Sequence, residues 1–462
     1  MIKNLETQSP FLQKILSSQR NFFCLLAAII LLLPLLFNAW QGKPLLMGEE
    51  SYYHLVAGQE LSWQNWQSFP AYLLSLSGLR EITPAIFPIL GVITIFLLFN
   101  LLKTETFSPE FSFIGLLLLV LSPTFIYSYS TISVYALSFF FLLLGVWCWS
   151  GKGKWKYCSI IPFLLITTSD FLSGTVLLLF LFYYLKDRSH SQERKTMMIV
   201  LLVSMIIQLL FFNLPAIIGP FHVADRTRDV ISDFGGNSGL GIFLVLLALP
   251  GFLTVWKQRK NIFTYGLFLI SLGGYIYNTE AILPLTLVLI YFATIGFFAI
   301  FERKWEITSI QRFTAFIILL GVLFSTLTYL NRITEFGPTA VDKEALTWIK
   351  ENTAPETVIF SDLEESYFVQ FFAQRKVLLT PEKSTSPAVE DYQGILKAVY
   401  IEQLFPLLEK NDISLLYISP KLRKTLPVDQ GMLFLLQNER FKLVHSYEDA
   451  EVWQFRKDDS AH

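Results

Sequence analysis

The chain has 462 residues, of which 53% are hydrophobic, 36 are Lys or Arg and 37 are Asp or Glu, for a net charge of −1. This balance excludes nucleic-acid binding driven by bulk positive charge, and the apolar content excludes a disordered tail protein. Mean hydropathy is +0.50 and charged residues are 16%, below the roughly one quarter usual in soluble domains.

The charges are unevenly spread. Residues 1–331 hold 37 of the 73 charged side chains and residues 332–462 hold the other 36. The distribution predicts two units: a multi-span membrane domain over 1–331, including a long first outer loop over 41–83, and a soluble domain over 332–462. The cysteines Cys24, Cys148 and Cys158 all lie in apolar stretches without metal-ligand spacing. They read as free cysteines, and no zinc site is expected.

A helix needs roughly 20 apolar residues to cross a hydrocarbon core of about 30 Å. In chain order, Phe22–Trp40 and Pro84–Leu102 meet that length. The block Phe111–Ser150 is twice as long as one span, with the polar run Tyr127-Ser128-Tyr129-Ser130-Thr131 at its middle, which predicts a hairpin of two spans. Tyr157–Leu185 is flanked on both sides by Lys and Arg, which predicts that it turns back on itself. Met197–Pro215 and Leu240–Trp256 follow, then Ile262–Phe301 broken at Asn278-Thr279-Glu280, and finally Phe313–Leu330. About eleven spans result.

Cytoplasmic loops collect Lys and Arg. One set of loops carries Lys103, Lys152, Lys154, Lys156, Lys186, Arg188, Arg194, Lys195, Lys257, Arg259, Lys260, Arg303, Lys304 and Arg312; the opposite set carries only Lys43, Arg80, Arg226 and Arg228. The bias predicts a cytoplasmic N-terminus and an extracytoplasmic C-terminal domain in the plasma membrane. In that domain strands are expected at Thr357–Ser361, Val377–Thr380, Ile413–Ser419, Lys442–His445 and Glu451–Phe455, with helices at Lys343–Asn352, at Ser366–Gln374 and ending near Lys410. Strands alternating with helices predict a small α/β layer.

No acid or base falls in the middle of a clear span, unlike the midplane charges of ion-coupled transporters. The acids instead cluster at outer ends: Glu49 and Glu50, Asp170, Asp225, Asp229, Asp233 and Glu280. Acids gathered at one surface suit general-base or metal roles, and solvated loop charges are the bland alternative.

Glu50 stands apart by its company. Gly48-Glu49-Glu50-Ser51-Tyr52-Tyr53-His54-Leu55 resembles the first-loop motif of GT-C membrane glycosyltransferases, most nearly that of the archaeal and eukaryotic oligosaccharyltransferase catalytic subunit. Ser122-Pro123-Thr124-Phe125-Ile126-Tyr127 resembles that family's turn into the fourth span, and Val230–Gly236 its acceptor-contacting loop. The resemblance implies Glu50 as the catalytic acid, His54 as a motif position, and Asp233 as the loop acid; Glu49 and Asp233 would bind acceptor or metal. Asp362-Leu363-Glu364-Glu365-Ser366 lies where the family carries its acceptor-reading WWDYG motif, with Asp362 as the motif position.

Three departures bear on chemistry. The WWDYG residues are absent, so sequon reading is not expected. Ser130, Thr131 and Ser133 replace the paired acids that help hold a metal, and Val56 replaces a basic residue. The resemblance implies a divalent cation, Mg or Mn, while these departures argue against a complete site for one; no nucleotide cofactor is expected. The resulting expectation is a glycosyltransferase using a polyprenyl-phosphate sugar donor and a glycan, lipid or protein acceptor, with membrane lipids as its other partner and no nucleic acid. The departing phosphate needs positive charge, for which Arg226 and Arg228 are the outer candidates. The rival readings are an inactive relative acting as an assembly or binding subunit and a transporter of a lipid-linked sugar.

Overall fold

The computed structural model describes residues 19–57, 82–104, 108–150, 158–166, 230–236, 238–256, 262–277, 282–301, 305–381, 388–426 and 431–456. Most of the expected hairpin at 157–185, the span Met197–Pro215, the loop from 58 to 81, and Asp170, Asp225, Arg226, Arg228, Asp229 and Glu280 lie outside the described residues. The chain divides into two compact units, Met1–Phe37 with Leu61–Thr334, and Asn38–Glu60 with Glu335–His462. Asn38–Glu60, which opens the loop that the charge pattern grouped with the membrane domain, clusters with the C-terminal residues.

The first unit is helical. Among the described residues, four helical stretches are long and apolar enough to cross a membrane: Gln19–Trp40, Thr83–Lys103, Ile282–Phe301 and one opening at Thr308. At about 1.5 Å per residue, the 22 residues of Gln19–Trp40 span about 33 Å, close to the hydrocarbon thickness. The helices Ile262–Tyr277 and Ile282–Phe301 flank the expected break at Asn278-Thr279-Glu280. Ile242–Trp256 crosses Ile282–Phe301 where Gly251 faces the Phe292 carbonyl and Gly296 the Leu247 carbonyl; a Cβ at either glycine would run into backbone. Without a hydrophobic drive between helices in lipid, such small residues let the two backbones approach.

The block Phe111–Ser150 departs from the expected hairpin. It bends by 58° between Pro109–Val120 and Pro123–Ser130, and turns only at Thr131–Ser133, before Val134–Ser150. Pro123 is the cause: it disfavours helical backbone at Ser122, which has ψ 134° and caps the short helix by accepting from the Phe125 amide at 3.2 Å. The Leu121 carbonyl accepts from Thr326 Oγ1 at 2.6 Å. The polar run sits inside the short helix, and Tyr129 Oη donates to Thr94 Oγ1 at 3.0 Å and to the Ala136 carbonyl at 3.2 Å. Those bonds, with Thr131 Oγ1 donating to the Tyr127 carbonyl at 2.8 Å, satisfy Tyr129 and Thr131 of the buried run, while Ser130 Oγ is buried with no partner among the described residues.

The second unit is an α/β layer. Five strands, β1 (Val358–Phe360), β2 (Lys376–Val377), β3 (Ile413–Ile418), β4 (Phe441–Tyr447) and β5 (Ala450–Phe455), form one sheet in the order β2-β1-β3-β5-β4. β2, β1 and β3 are parallel, and β5 runs antiparallel to both β3 and β4. The parallel crossovers use the helices Ser366–Ala373, Ala388–Lys397 and Ile401–Lys410. Leu404 and Leu408 meet Ile413, Leu416 and Ile418 of β3 and Phe441 and Phe455 of the hairpin in one core. Ala340–Asn352 opens on a capping box, in which the Asp342 amide donates to Thr339 Oγ1 and the Thr339 amide donates to Asp342.

Candidate functional site

The segment Gly48–Leu55 folds mostly into a helix, Glu49–Ala57. Gly48 has φ +76°, which glycine adopts without a side-chain clash, and its amide donates to the Phe336 carbonyl at 2.5 Å. Glu49 and Glu50 fall in the first turn, where the helix dipole favours negative charge.

Aromatic packing holds this helix within the second unit. Tyr52 is 1% exposed, with its ring 6.1, 5.2 and 5.7 Å from those of Phe368, Phe371 and Phe372. Its hydroxyl donates to the Leu46 carbonyl at 3.0 Å. Tyr53 packs on Tyr367 at 5.0 Å. His54 is buried, and burial pulls its imidazole down to about 4, so it is neutral at physiological pH.

The first of the two adjacent acids, Glu49, is strongly perturbed by its surroundings. Glu49 is pushed up to about 9, first by burial and then by the charges of Glu364 and Glu50; Lys421 opposes and Asp362 adds to the rise. Its Oε1 is buried with no hydrogen-bond partner among the described residues. At neutral pH Glu49 therefore keeps its proton, and the charge of its neighbour Glu50 is one reason why.

The segment Asp362–Ser366 supplies the rest of this acidic group. Asp362 Oδ1 accepts from Tyr392 Oη at 3.3 Å, and Glu364 Oε2 pairs with Lys421 Nζ at 2.5 Å. Glu365 is 4% exposed. Burial pushes it up to about 8; a hydrogen bond with Ser419 opposes this, Asp342 and Asp362 add to it, and Lys421 opposes it. Lys421 is itself raised: burial pushes it down, but the bond to Glu364 and the charges of Glu364, Glu365 and Asp362 outweigh that. Thus Glu49 and Asp362, distant in sequence, act on one another. Glu364, Glu365 and Lys421 were not singled out from the sequence. The acidic run 362–365 was a readable signal for the two glutamates, whereas nothing in the sequence marks Lys421.

Asp233 belongs to the first unit. Its loop is tied by a bridge between Ile231 and Leu240, and its carboxylate is engaged at both oxygens. Oδ2 accepts from the Ile242 amide at 2.7 Å, at the start of the helix Ile242–Trp256, and Oδ1 accepts from Ser325 Oγ at 2.6 Å. Arg332 Nη2 donates to the Gly236 carbonyl of the same loop at 2.6 Å. These bonds give Asp233 a loop-holding role. Among the described residues, no three His, Cys, Asp or Glu side chains converge to hold a metal ion.

No family model and no curated protein sequence matches the chain. Solved structures do match. The oligosaccharyltransferase of Archaeoglobus fulgidus, tethered to an acceptor peptide with an NVT sequon, aligns over 86% of this chain and 69% of its own at 14% identity, with a TM-score of 0.55. The mycobacterial arabinofuranosyltransferase AftD aligns over 95% of this chain and 40% of its own at 13% identity, with a TM-score of 0.54. ArnT from Cupriavidus metallidurans aligns over 88% and 94% at 13% identity, with a TM-score of 0.51. With its apolar helices the chain is a multi-pass membrane protein. Its fold is that of the GT-C glycosyltransferases.

Proposed function

We propose that the chain is a membrane glycosyltransferase that moves a sugar or oligosaccharide from a polyprenyl-phosphate carrier to an acceptor at the outer face of the plasma membrane. The observation that carries this reading is a GT-C fold in which the Glu49-Glu50-Ser51-Tyr52-Tyr53-His54 segment forms a helix anchored by its buried tyrosine. In this reading Glu50 takes the proton of the acceptor as the acceptor atom bonds to the anomeric carbon. The bond from that carbon to the phosphate oxygen breaks, and its electron pair leaves with the polyprenyl phosphate. Attack opposite the leaving group inverts the anomeric centre. Arg226 and Arg228 are assigned to the departing phosphate, and no step is assigned to a metal.

The topology that goes with this reading has eleven spans, a cytoplasmic N-terminus and an outer second unit. A reporter fused after His462 is expected outside and one fused near Arg194 inside; both on one side would remove the proposed turn within Tyr157–Leu185. Transfer itself is checked with the purified protein and a labelled polyprenyl-phosphate sugar. Label should leave the lipid for an acceptor. Because Asp-Leu-Glu-Glu-Ser stands in place of WWDYG, an Asn-x-Ser/Thr peptide should accept poorly. Robust labelling of that peptide would overturn the acceptor assignment. Ser130, Thr131 and Ser133 in place of the paired acids, and the missing WWDYG residues, favour one second reading, an inactive relative serving as an assembly subunit. Persistent failure to release sugar from any lipid donor would support it.

A further inference from the structure

The group around Asp362 has more acid than counter-charge. Glu49, Asp362, Glu364 and Glu365 act on one another or on Lys421, and among the described residues Lys421 is the one cation acting on Glu49 and Glu365. Lys421 Nζ is bonded to Glu364, and its side chain is 55% exposed. Glu365 is 96% buried by area, yet only one of its oxygens has a use: Ser419 bonds the carboxyl, while Oε2 is buried with no hydrogen-bond partner among the described residues. A buried carboxyl oxygen without a donor is costly, of order 1–3 kcal/mol. A fold that keeps one beside Asp362 holds an acceptor atom for a donor that arrives from elsewhere. The resident partner, an alkylammonium, shows which donor suits the group.

We propose that Asp362, Glu364 and Glu365 form a binding site for a primary ammonium group on the acceptor, with Lys421 as its intramolecular placeholder. The proposal rests on the transferase reading for the word acceptor, but the binding itself does not depend on catalysis. A cationic group reaching these acids would displace Lys421 from Glu364 and offer N–H donors to carboxyl oxygens. A charge-assisted bond is about twice as strong as a neutral one, and a neutral amide at the same position forfeits that difference. Arginine is not implied, because the resident partner is a single point charge.

The test compares two probes that differ in one charge, methyl 2-amino-2-deoxyglucoside and its N-acetyl form, on the full-length protein in detergent. Protection of the backbone amides of 362–373 from hydrogen exchange reports binding. The amine is expected to protect at a concentration at least about tenfold lower than the acetylated sugar, an advantage that falls with salt. Glu364→Gln should remove most of that preference, because it takes away the carboxylate that Lys421 pairs with. Lys421→Met should tighten amine binding several-fold, which a merely structural lysine would not do. Equal protection by the two probes, protection by neither, or amine binding unmoved or weakened in Lys421→Met would overturn the proposal. In the transfer assay, sugar moved to neutral acceptors without preference for amines would sink this inference and leave the transferase reading standing. Selective amine binding with no transfer would do the reverse.

Discussion

Glu50→Gln is expected to lower turnover by at least about 100-fold, the low end of general-base effects, while leaving expression and donor-lipid binding nearly unchanged. The substitution keeps the size of the side chain and removes its ability to take a proton. Glu49→Gln is the internal control, and the structure sharpens it. Glu49, pushed up to about 9 by burial and by the charges of Glu364 and Glu50, is already neutral near pH 7. Glutamine there replaces one neutral group with another of the same shape, so turnover at pH 7 should change by no more than about threefold, a small effect on the scale of general-base catalysis. Consecutive helical residues also point about 100° apart, so the two acids cannot share one role. The measurement is single-turnover release of sugar from the lipid donor. Equal losses in the two variants would identify the segment as structural, and an unaffected Glu50→Gln would end the catalytic assignment.

Tyr52→Ala is expected to unseat the Glu49–Ala57 helix. Tyr52 is 1% exposed and packs on Phe368, Phe371 and Phe372. Truncating a buried aromatic to alanine costs about 3–5 kcal/mol, which corresponds to a loss of protection of about a hundredfold or more. The effect should appear in hydrogen exchange of residues 49–57, because one global melting temperature does not describe a chain of two units. Tyr52→Phe keeps the ring and loses only the bond to the Leu46 carbonyl, for a cost of about 1 kcal/mol. Similar protection in Tyr52→Ala and the unaltered chain would show that the aromatic seat does not hold the helix. A large loss in Tyr52→Phe would move the weight from the ring to the hydroxyl.

Local patterns were legible wherever one neighbourhood of sequence sets the outcome. Apolar length placed Gln19–Trp40, Thr83–Thr104 and Ile282–Phe301, because a helix that satisfies its own backbone needs only enough apolar residues to reach across. Strand signals placed β1, β3, β4 and β5 within a few residues, since alternation and β-branched runs are local properties. The two-part composition and the acid-aromatic-His segment were also visible along the chain.

Tertiary structure decided what depends on distant partners. Pro123 moved the bend to Ser122, while Thr326, far along the chain, supplied a donor to the Leu121 carbonyl at that bend. The resemblance makes Asp233 an acceptor- or metal-binding acid, whereas in the fold the Ile242 amide and the Ser325 hydroxyl donate to its two oxygens. Glu49 and Glu50 are indistinguishable as letters. What raises Glu49 is burial first and then the charges of Glu364 and Glu50, with Lys421 opposing and Asp362 adding, in the fold of the second unit. A carboxyl's proton affinity follows from burial and neighbouring charge, and both are set by packing across hundreds of residues and by nothing written beside the residue itself.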